Sequence, residues 1–150
     1  IVNAILKFAD LQNSRDRDYI FDINKFSETT GKTGPYILYT YLRLKRIIDA
    51  ENLSGELTDN IYNKFDRDLR LALLDMSSYV KLAYEARMPH YIAEYVYNLC
   101  VECNVFYQNN HISGMEDEIN KKDFIEVLKV ANNVIEKMLY LLGIEIPSVM

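Results

Sequence analysis

Two cysteines are the first residues of this 150-residue chain whose spacing suggests chemistry. Cys100-Val-Glu-Cys103 sets two thiols one helical turn apart, as in half of a metal site or in a redox pair. A structural zinc site takes four ligands, and no second cysteine pair exists. His90 lies ten residues before Cys100, and His111 lies beyond the end of the same helical pattern. A redox dithiol belongs at a helix N-terminus, where the dipole lowers a thiol pKa. This pair falls in mid-helix, with Cys103 on the apolar stripe. Both cysteines are therefore expected to pack the core, with no metal and no cofactor assigned. Two histidines without a Ser or Asp at a suggestive spacing make no nucleophilic site, and no catalytic residue is assigned. Thr30-Gly-Lys-Thr-Gly34 is only superficially a phosphate loop, because the earlier glycine and the preceding strand are missing.

The tyrosines are the better lead. The chain has 12 Tyr and no Trp. Tyr36, Tyr39, Thr40, Arg43 and Ile47 follow the i, i+3, i+4, i+7 spacing of one helix face. No acidic residue occurs from Thr29 to Ile48, whereas Lys32, Arg43, Lys45 and Arg46 are basic. Tyrosines beside cations can stack unpaired bases and hold phosphates. The same residues would also suit a bundle edge with solvated cations, so spacing alone leaves both readings open. A net charge of −5 argues against broad binding to nucleic acid or membrane, but not against a local basic face.

The elements that must carry these residues are helices. The length fits one domain, able to bury roughly 68–70% of its unfolded surface. Hydrophobic residues make up 49% and charged residues 26%, ordinary values for a globular domain. Only 5 Gly and 3 Pro favour long helices over many short strands. The longest apolar run, Met138–Leu142, falls far short of the roughly 18 residues of a membrane span. No signal-peptide pattern opens the chain, and two cysteines make no disulfide framework, so the expected compartment is the cytoplasm. The first residue is Ile1 rather than methionine, which suggests a piece of a longer protein.

Periodicity predicts a first helix carrying Val2, Ile5, Leu6 and Ala9. Asp22 can cap a short helix. Thr33 caps the next, which runs from about Pro35 to Asn52 with Ile37, Tyr41, Leu44 and Ile48 as its core stripe. Thr58 or Asp59 is expected to cap another, with Ile61, Phe65, Leu69 and Leu73 along one face. A shorter helix follows a break at Met76-Ser-Ser and stops before Pro89. Pro89 opens a helix to about Asn109, with Ile92, Val96, Leu99, Cys103 and Phe106 in its stripe. The last helix carries Phe124, Leu128, Ala131, Ile135, Met138 and Leu142, and Gly143 ends it. No alternating strand pattern and no repeat occur. The fold class is all-α, a helical bundle.

Several segments carry a more specific signal. Lys7-Phe-Ala-Asp-Leu-Gln-Asn-Ser-Arg-Asp-Arg-Asp-Tyr-Ile-Phe-Asp22 resembles the end of the catalytic core of the arginyl-tRNA synthetase family. Phe26-Ser-Glu-Thr-Thr-Gly-Lys-Thr-Gly-Pro-Tyr-Ile-Leu-Tyr-Thr-Tyr-Leu-Arg43 resembles that family's approach to its anticodon-binding domain. Pro89-His-Tyr-Ile-Ala-Glu-Tyr-Val-Tyr-Asn-Leu99 and Phe106-Tyr-Gln-Asn109 are similar to the signature of its C-terminal helical module. Leu141-Leu-Gly-Ile-Glu-Ile-Pro-Ser-Val-Met150 is similar to its usual chain end. The matches come in the expected order and span the chain. Met88, Met76-Ser-Ser and Asn110-His-Ile-Ser depart from the family pattern.

The resemblance implies the anticodon-binding, DALR-type domain of a class I aminoacyl-tRNA synthetase. Residues 1–26 would be the tail of the catalytic core and 27–150 the anticodon-binding domain. The family joins arginine to its tRNA with ATP, and its His-Ile-Gly-His and Lys-Met-Ser-Lys-Ser signatures are absent here. This piece would hold no ATP and catalyse nothing alone. Its implied partners are the anticodon loop of arginine tRNA and the catalytic domain of the same parent chain, with no membrane and a monomeric state. The family pattern places anticodon contacts at Tyr36, at Thr40 (where alanine is common), at Tyr107 and at the terminal Met150. Arg43, Lys45 and Arg46 are the candidate phosphate contacts. Arginine codons share a middle G, so the base to be read is a middle C. The alternatives are a helical protein-interaction bundle without RNA, and the equivalent module of another class I synthetase.

Overall fold

The computed structural model describes residues 1–148. Among them helices alternate with irregular connections and no strand occurs, as the punctuation predicts. The order is α1 (Val2–Leu11), α2 (Ile23–Phe26), α3 (Gly34–Glu51), α4 (Lys64–Leu74), α5 (Met76–Ala86), α6 (His90–Asn110) and α7 (Glu118–Leu141). A 3-10 turn, Ile112–Gly114, joins the last two. No helix among the described residues is long and apolar enough to cross a membrane.

The central element is α6, which packs against α3, α4, α5 and α7. Its whole expected stripe is buried, and Ala93, Tyr95 and Cys100 are buried beside it. The apolar face is therefore wider than one stripe, because several helices share it. Tyr95 fits this interior only with its hydroxyl paired, and it donates to the Ala72 carbonyl at 2.9 Å. From α7, Phe124 meets Phe106 edge-to-face with ring centroids 4.9 Å apart. The remaining α7 stripe residues, Leu128, Ala131, Ile135, Met138 and Leu142, are buried as predicted.

The helix ends follow local chemistry. Thr33 Oγ1 accepts from the Tyr36 amide at 3.2 Å, so α3 starts where Pro35 can be tolerated. Asp22 caps α2 through the amides of Asn24 and Lys25. Arg87 adopts a left-handed conformation (φ 55°) and ends α5 ahead of Met88-Pro89. Gly143 (φ 67°) reverses the chain after α7, and the Ile144 amide bonds the Leu139 carbonyl at 2.9 Å.

Two sequence expectations are corrected. The buried face of α1 is Ala4, Ile5, Phe8 and Ala9, while Val2 and Leu6 are exposed. The cause is a close helix crossing. A methyl group on Gly34 would overlap the Ala4 carbonyl, so α1 presents small residues to the start of α3 and tucks Phe8 into the common core. The second correction is the start of α4. Neither Thr58 nor Asp59 caps it; Asn63 does, accepting from the Asp66 amide at 2.9 Å. Ile61 consequently lies outside the helix and is exposed. Thr58 instead accepts through Oγ1 from the Asn60 amide at 3.2 Å, within the irregular strap ahead of α4. Its amide and hydroxyl both donate to Asp123 of α7, at 2.9 and 2.6 Å.

That engagement belongs to a buried polar network. Asp66 and Asp123 are buried at 0% and 1% exposure, and Arg70 lies between them. Arg70 Nε donates to Asp66 at 2.7 Å and Nη2 to Asp123 at 3.1 Å, while Nη1 donates to the Thr58 carbonyl. Asp66 also accepts from the Tyr62 amide at 3.0 Å. Burial opposes ionisation of Asp123, but the two bonds from Thr58 and the charge of Arg70 outweigh it and hold its pKa below the ordinary value. The strap between α3 and α4 is tied down by these charges, with Lys129 donating to the Leu53 carbonyl at 2.8 Å.

Removing Asp123 leaves buried donors without acceptors, so Asp123→Ala should cost about 3 kcal/mol in urea denaturation. A carboxylate with a depressed folded pKa stabilises fully above its unfolded pKa and loses that contribution as pH falls through the folded one. Stability should therefore decline on acidification below about pH 4, and the Asp123→Ala chain should show a shallower decline.

Candidate nucleic-acid interface

Within the α3 stripe, Tyr36, Thr40 and Arg43 do not face open solvent. They meet a matching stripe on α6, where Tyr97, Asn104 and Tyr107 repeat at i, i+7 and i+10 beside the core stripe. Tyr36 and Tyr97 rings pack with centroids 5.7 Å apart at 55°. Lys32 Nζ stands 6.0 Å from the Tyr97 centroid, at the outer limit of a cation–π contact. The Arg43 guanidinium lies over the Tyr107 ring, 4.5 Å from its centroid. Aromatic faces thus alternate with cations along a seam between two long, well-packed helices.

Asn104 is the centre of this seam. Its Nδ2 donates to the Tyr36 hydroxyl and to Thr40 Oγ1, each at 3.0 Å. Its Oδ1 accepts from Arg43 Nη1 at 3.3 Å. Thr40 in turn donates to the Tyr36 carbonyl at 2.9 Å. Burial raises the pKa of the Tyr36 phenol, partly offset by the Asn104 bond, so this hydroxyl stays protonated at neutral pH.

The expected site residues separate into groups. Tyr36, Arg43 and Tyr107 come together in the seam, each half-buried. Thr40 is there too but is fully buried, its hydroxyl turned inward to the network. Arg46 is exposed one turn beyond Arg43. Lys45 is exposed but lies nine residues beyond Tyr36, which at 3.6 residues per turn puts it on the opposite side of α3. Met150 lies outside the described residues. Tyr39 is 45% exposed. The sequence reading missed Tyr97 and Asn104. Their signal was the second periodic stripe on α6, which the stronger apolar stripe overshadowed.

The cysteine pair packs the core, as expected. Cys100 and Cys103 are both free and fully buried, and burial pushes both thiols up in pKa. Among the described residues no group of three or more His, Cys, Asp or Glu side chains could hold a metal ion.

Fold and seam together define an all-helical binding module, with aromatic faces and cations aligned on two rigid helices. Residues 37–150 match the DALR anticodon binding domain family, and the chain belongs to it. The chain is 37% identical over 157 aligned residues to an arginine–tRNA ligase of Francisella tularensis, covering 99% of this chain and 27% of that protein. It is 36% identical to the arginine–tRNA ligase of Agathobacter rectalis, over 97% of this chain and 26% of that protein. The chain thus spans about a quarter of the curated relatives it matches. Its fold superposes on the arginyl-tRNA synthetase of Thermus thermophilus with a TM-score of 0.91 at 23% identity, covering 98% of this chain and 26% of that one. The corresponding enzyme of Plasmodium falciparum gives 0.83 at 22% identity, with the same coverage.

Buried thiols with raised pKa values should be inert. An aromatic disulfide reagent should modify Cys100 and Cys103 at least about a hundredfold more slowly in buffer than in concentrated urea. A fast native reaction of either would mean that α6 opens locally.

Proposed function

We propose that this chain holds the anticodon loop of arginine tRNA, as the C-terminal module of an arginine–tRNA ligase. The observation that carries the reading is the α3–α6 seam, where Tyr36, Arg43, Asn104 and Tyr107 meet in a chain of an anticodon-binding family. Sequence-specific RNA recognition targets unpaired bases splayed onto aromatic faces, with edge hydrogen bonds fixing identity. Tyr36 and Tyr107 supply the faces. Arg43 and Arg46 supply phosphate contacts on the same side, and Lys45 acts from the far side of α3 through its longer-range field. Thr40 acts indirectly, by holding Asn104 and the Tyr36 carbonyl.

On this reading ATP and arginine are handled by the catalytic domain of the parent, to which residues 1–26 are the tail. The module contributes grip on the far end of the tRNA. The parent acts as a cytoplasmic monomer. The competing reading is a helical protein-interaction bundle, favoured by the net charge of −5. Against it stands the local charge, since Thr29 to Ile48 carries four basic and no acidic residues.

The test is an NMR titration of the chain with an arginine anticodon stem-loop at low salt. Resonance shifts are expected around Tyr36, Thr40, Arg43 and Tyr107. Tyr36→Ala should weaken binding about tenfold or more while leaving helicity nearly unchanged. Equal affinity of both chains would remove the stacking role. An absence of shifts would support the interaction bundle instead.

A further inference from the structure

The hydrogen bonds around Asn104 can run in only one direction. Arg43 Nη1 is a donor and never an acceptor, so the Asn104 atom that faces it must be the carbonyl Oδ1. This fixes an amide orientation that would otherwise be ambiguous. The Nδ2 group therefore faces Tyr36 and Thr40, and it has two protons to give and nothing to accept with. Thr40 is compatible, since it accepts from Asn104 and donates to the Tyr36 carbonyl. The Tyr36 phenol oxygen is then an acceptor toward Asn104, its partner among the described residues. Its own proton must then point away from Asn104.

We propose that Asn104 is the positioning residue that sets base specificity in the seam, by leaving the Tyr36 hydroxyl as a hydrogen-bond donor directed away from Asn104 and available to the bound base. The inference rests on the anticodon reading above and extends it to the choice between pyrimidines. Cytosine presents N3 and O2 as acceptors on its pairing edge, whereas uracil carries a proton on N3. A Tyr36 donor is satisfied by cytosine N3 and opposed by the uracil N3–H. Stacking alone would not separate two pyrimidines of similar size and π-face. The polarity is also durable: Arg43 pins the amide, and the raised phenol pKa keeps the proton in place.

The experiment measures affinities for two anticodon stem-loops that differ only in a middle C or a middle U. The unsubstituted chain should prefer the middle-C loop about tenfold, the scale set by one well-placed hydrogen bond against a mispaired one. Asn104→Asp preserves side-chain shape and the contact with Arg43 but supplies only acceptors. The Tyr36 proton then turns toward residue 104 and its lone pairs face the base. This variant should bring the ratio to about one or below, whatever its added negative charge does to both affinities. Tyr36→Phe should abolish the same preference, and combining the two substitutions should change the ratio no further. Circular dichroism and melting check that each variant is folded. The proposal is overturned if Asn104→Asp weakens both loops equally and leaves the ratio intact. It is equally overturned if Tyr36→Phe keeps the preference, an arm that holds even if Asn104→Asp does not fold. Binding of both loops with equal affinity by the unsubstituted chain defeats this inference and spares the anticodon reading. Binding of neither loop defeats both.

Discussion

The structure depends on the enclosure of α6. Helices α1, α3, α4, α5 and α7 all pack against this 21-residue segment, and its apolar stripe is fully used for burial. Along its border with α3, Tyr97, Asn104 and Tyr107 are half-buried. Enclosure sets the chemistry of that border in two ways. It fixes the rings, since a helix held on several sides cannot rotate or slide without breaking a close-packed core. It also demands hydrogen bonds for every polar atom that enters the seam, because an unpaired buried donor or acceptor is costly. Asn104 answers that demand for three side chains of α3 at once.

The far side of α6 is held by different physics. There α4 carries Leu69 into the core, but its position is set by charge, through Arg70 between Asp66 and Asp123. The strap before α4 has few apolar residues to bury, and Leu57 and Ile61 stay exposed. Fixing it by hydrogen bonds to two buried carboxylates is the available alternative. This also bears on the net charge. The two buried carboxylates share one guanidinium inside the protein, far along the chain from the basic run that borders the seam. A sum over the whole sequence therefore says little about the field at α3, and the Debye length of about 10 Å in moderate salt makes the local composition decisive.

What could be read from the sequence follows the range of the interactions involved. The starts of α2 and α3 and the end of α7 were legible because their caps are local: Asp22, Thr33 and Gly143 act within a few residues. The stripes of α6 and α7 were legible because each repeats over about four turns or more. The start of α4 was not, because the segment around Thr58 is held as an irregular strap by Asp123, 65 residues away, and nothing near Thr58 announces that contact. The face of α1 was rotated by a contact of the same kind, the approach of the Ala4 carbonyl to Gly34. Tyr36 and Tyr107 were found through aromatic type and wording. Asn104 was missed because a lone amide in mid-helix reads as a solvated residue until the crossing partner is known.

Thr40 shows how the seam accommodates a departure from the family pattern, in which alanine is common at this position. A hydroxyl fully buried between α3 and α6 would destabilise the crossing unless both of its roles were used. Here both are: it donates to the Tyr36 carbonyl one turn back and accepts from Asn104. Such back-bonding to the i−4 carbonyl is tolerated by a helix, and it leaves the hydroxyl oxygen aimed across the crossing at α6. The amide of Asn104 has two N–H groups, and Tyr36 can use only one of them. Thr40 takes the second, which would otherwise be buried without an acceptor. The extra oxygen of Thr40 and the amide of Asn104 are thus complementary parts of one arrangement, and the hydroxyl supports the placement of Tyr36.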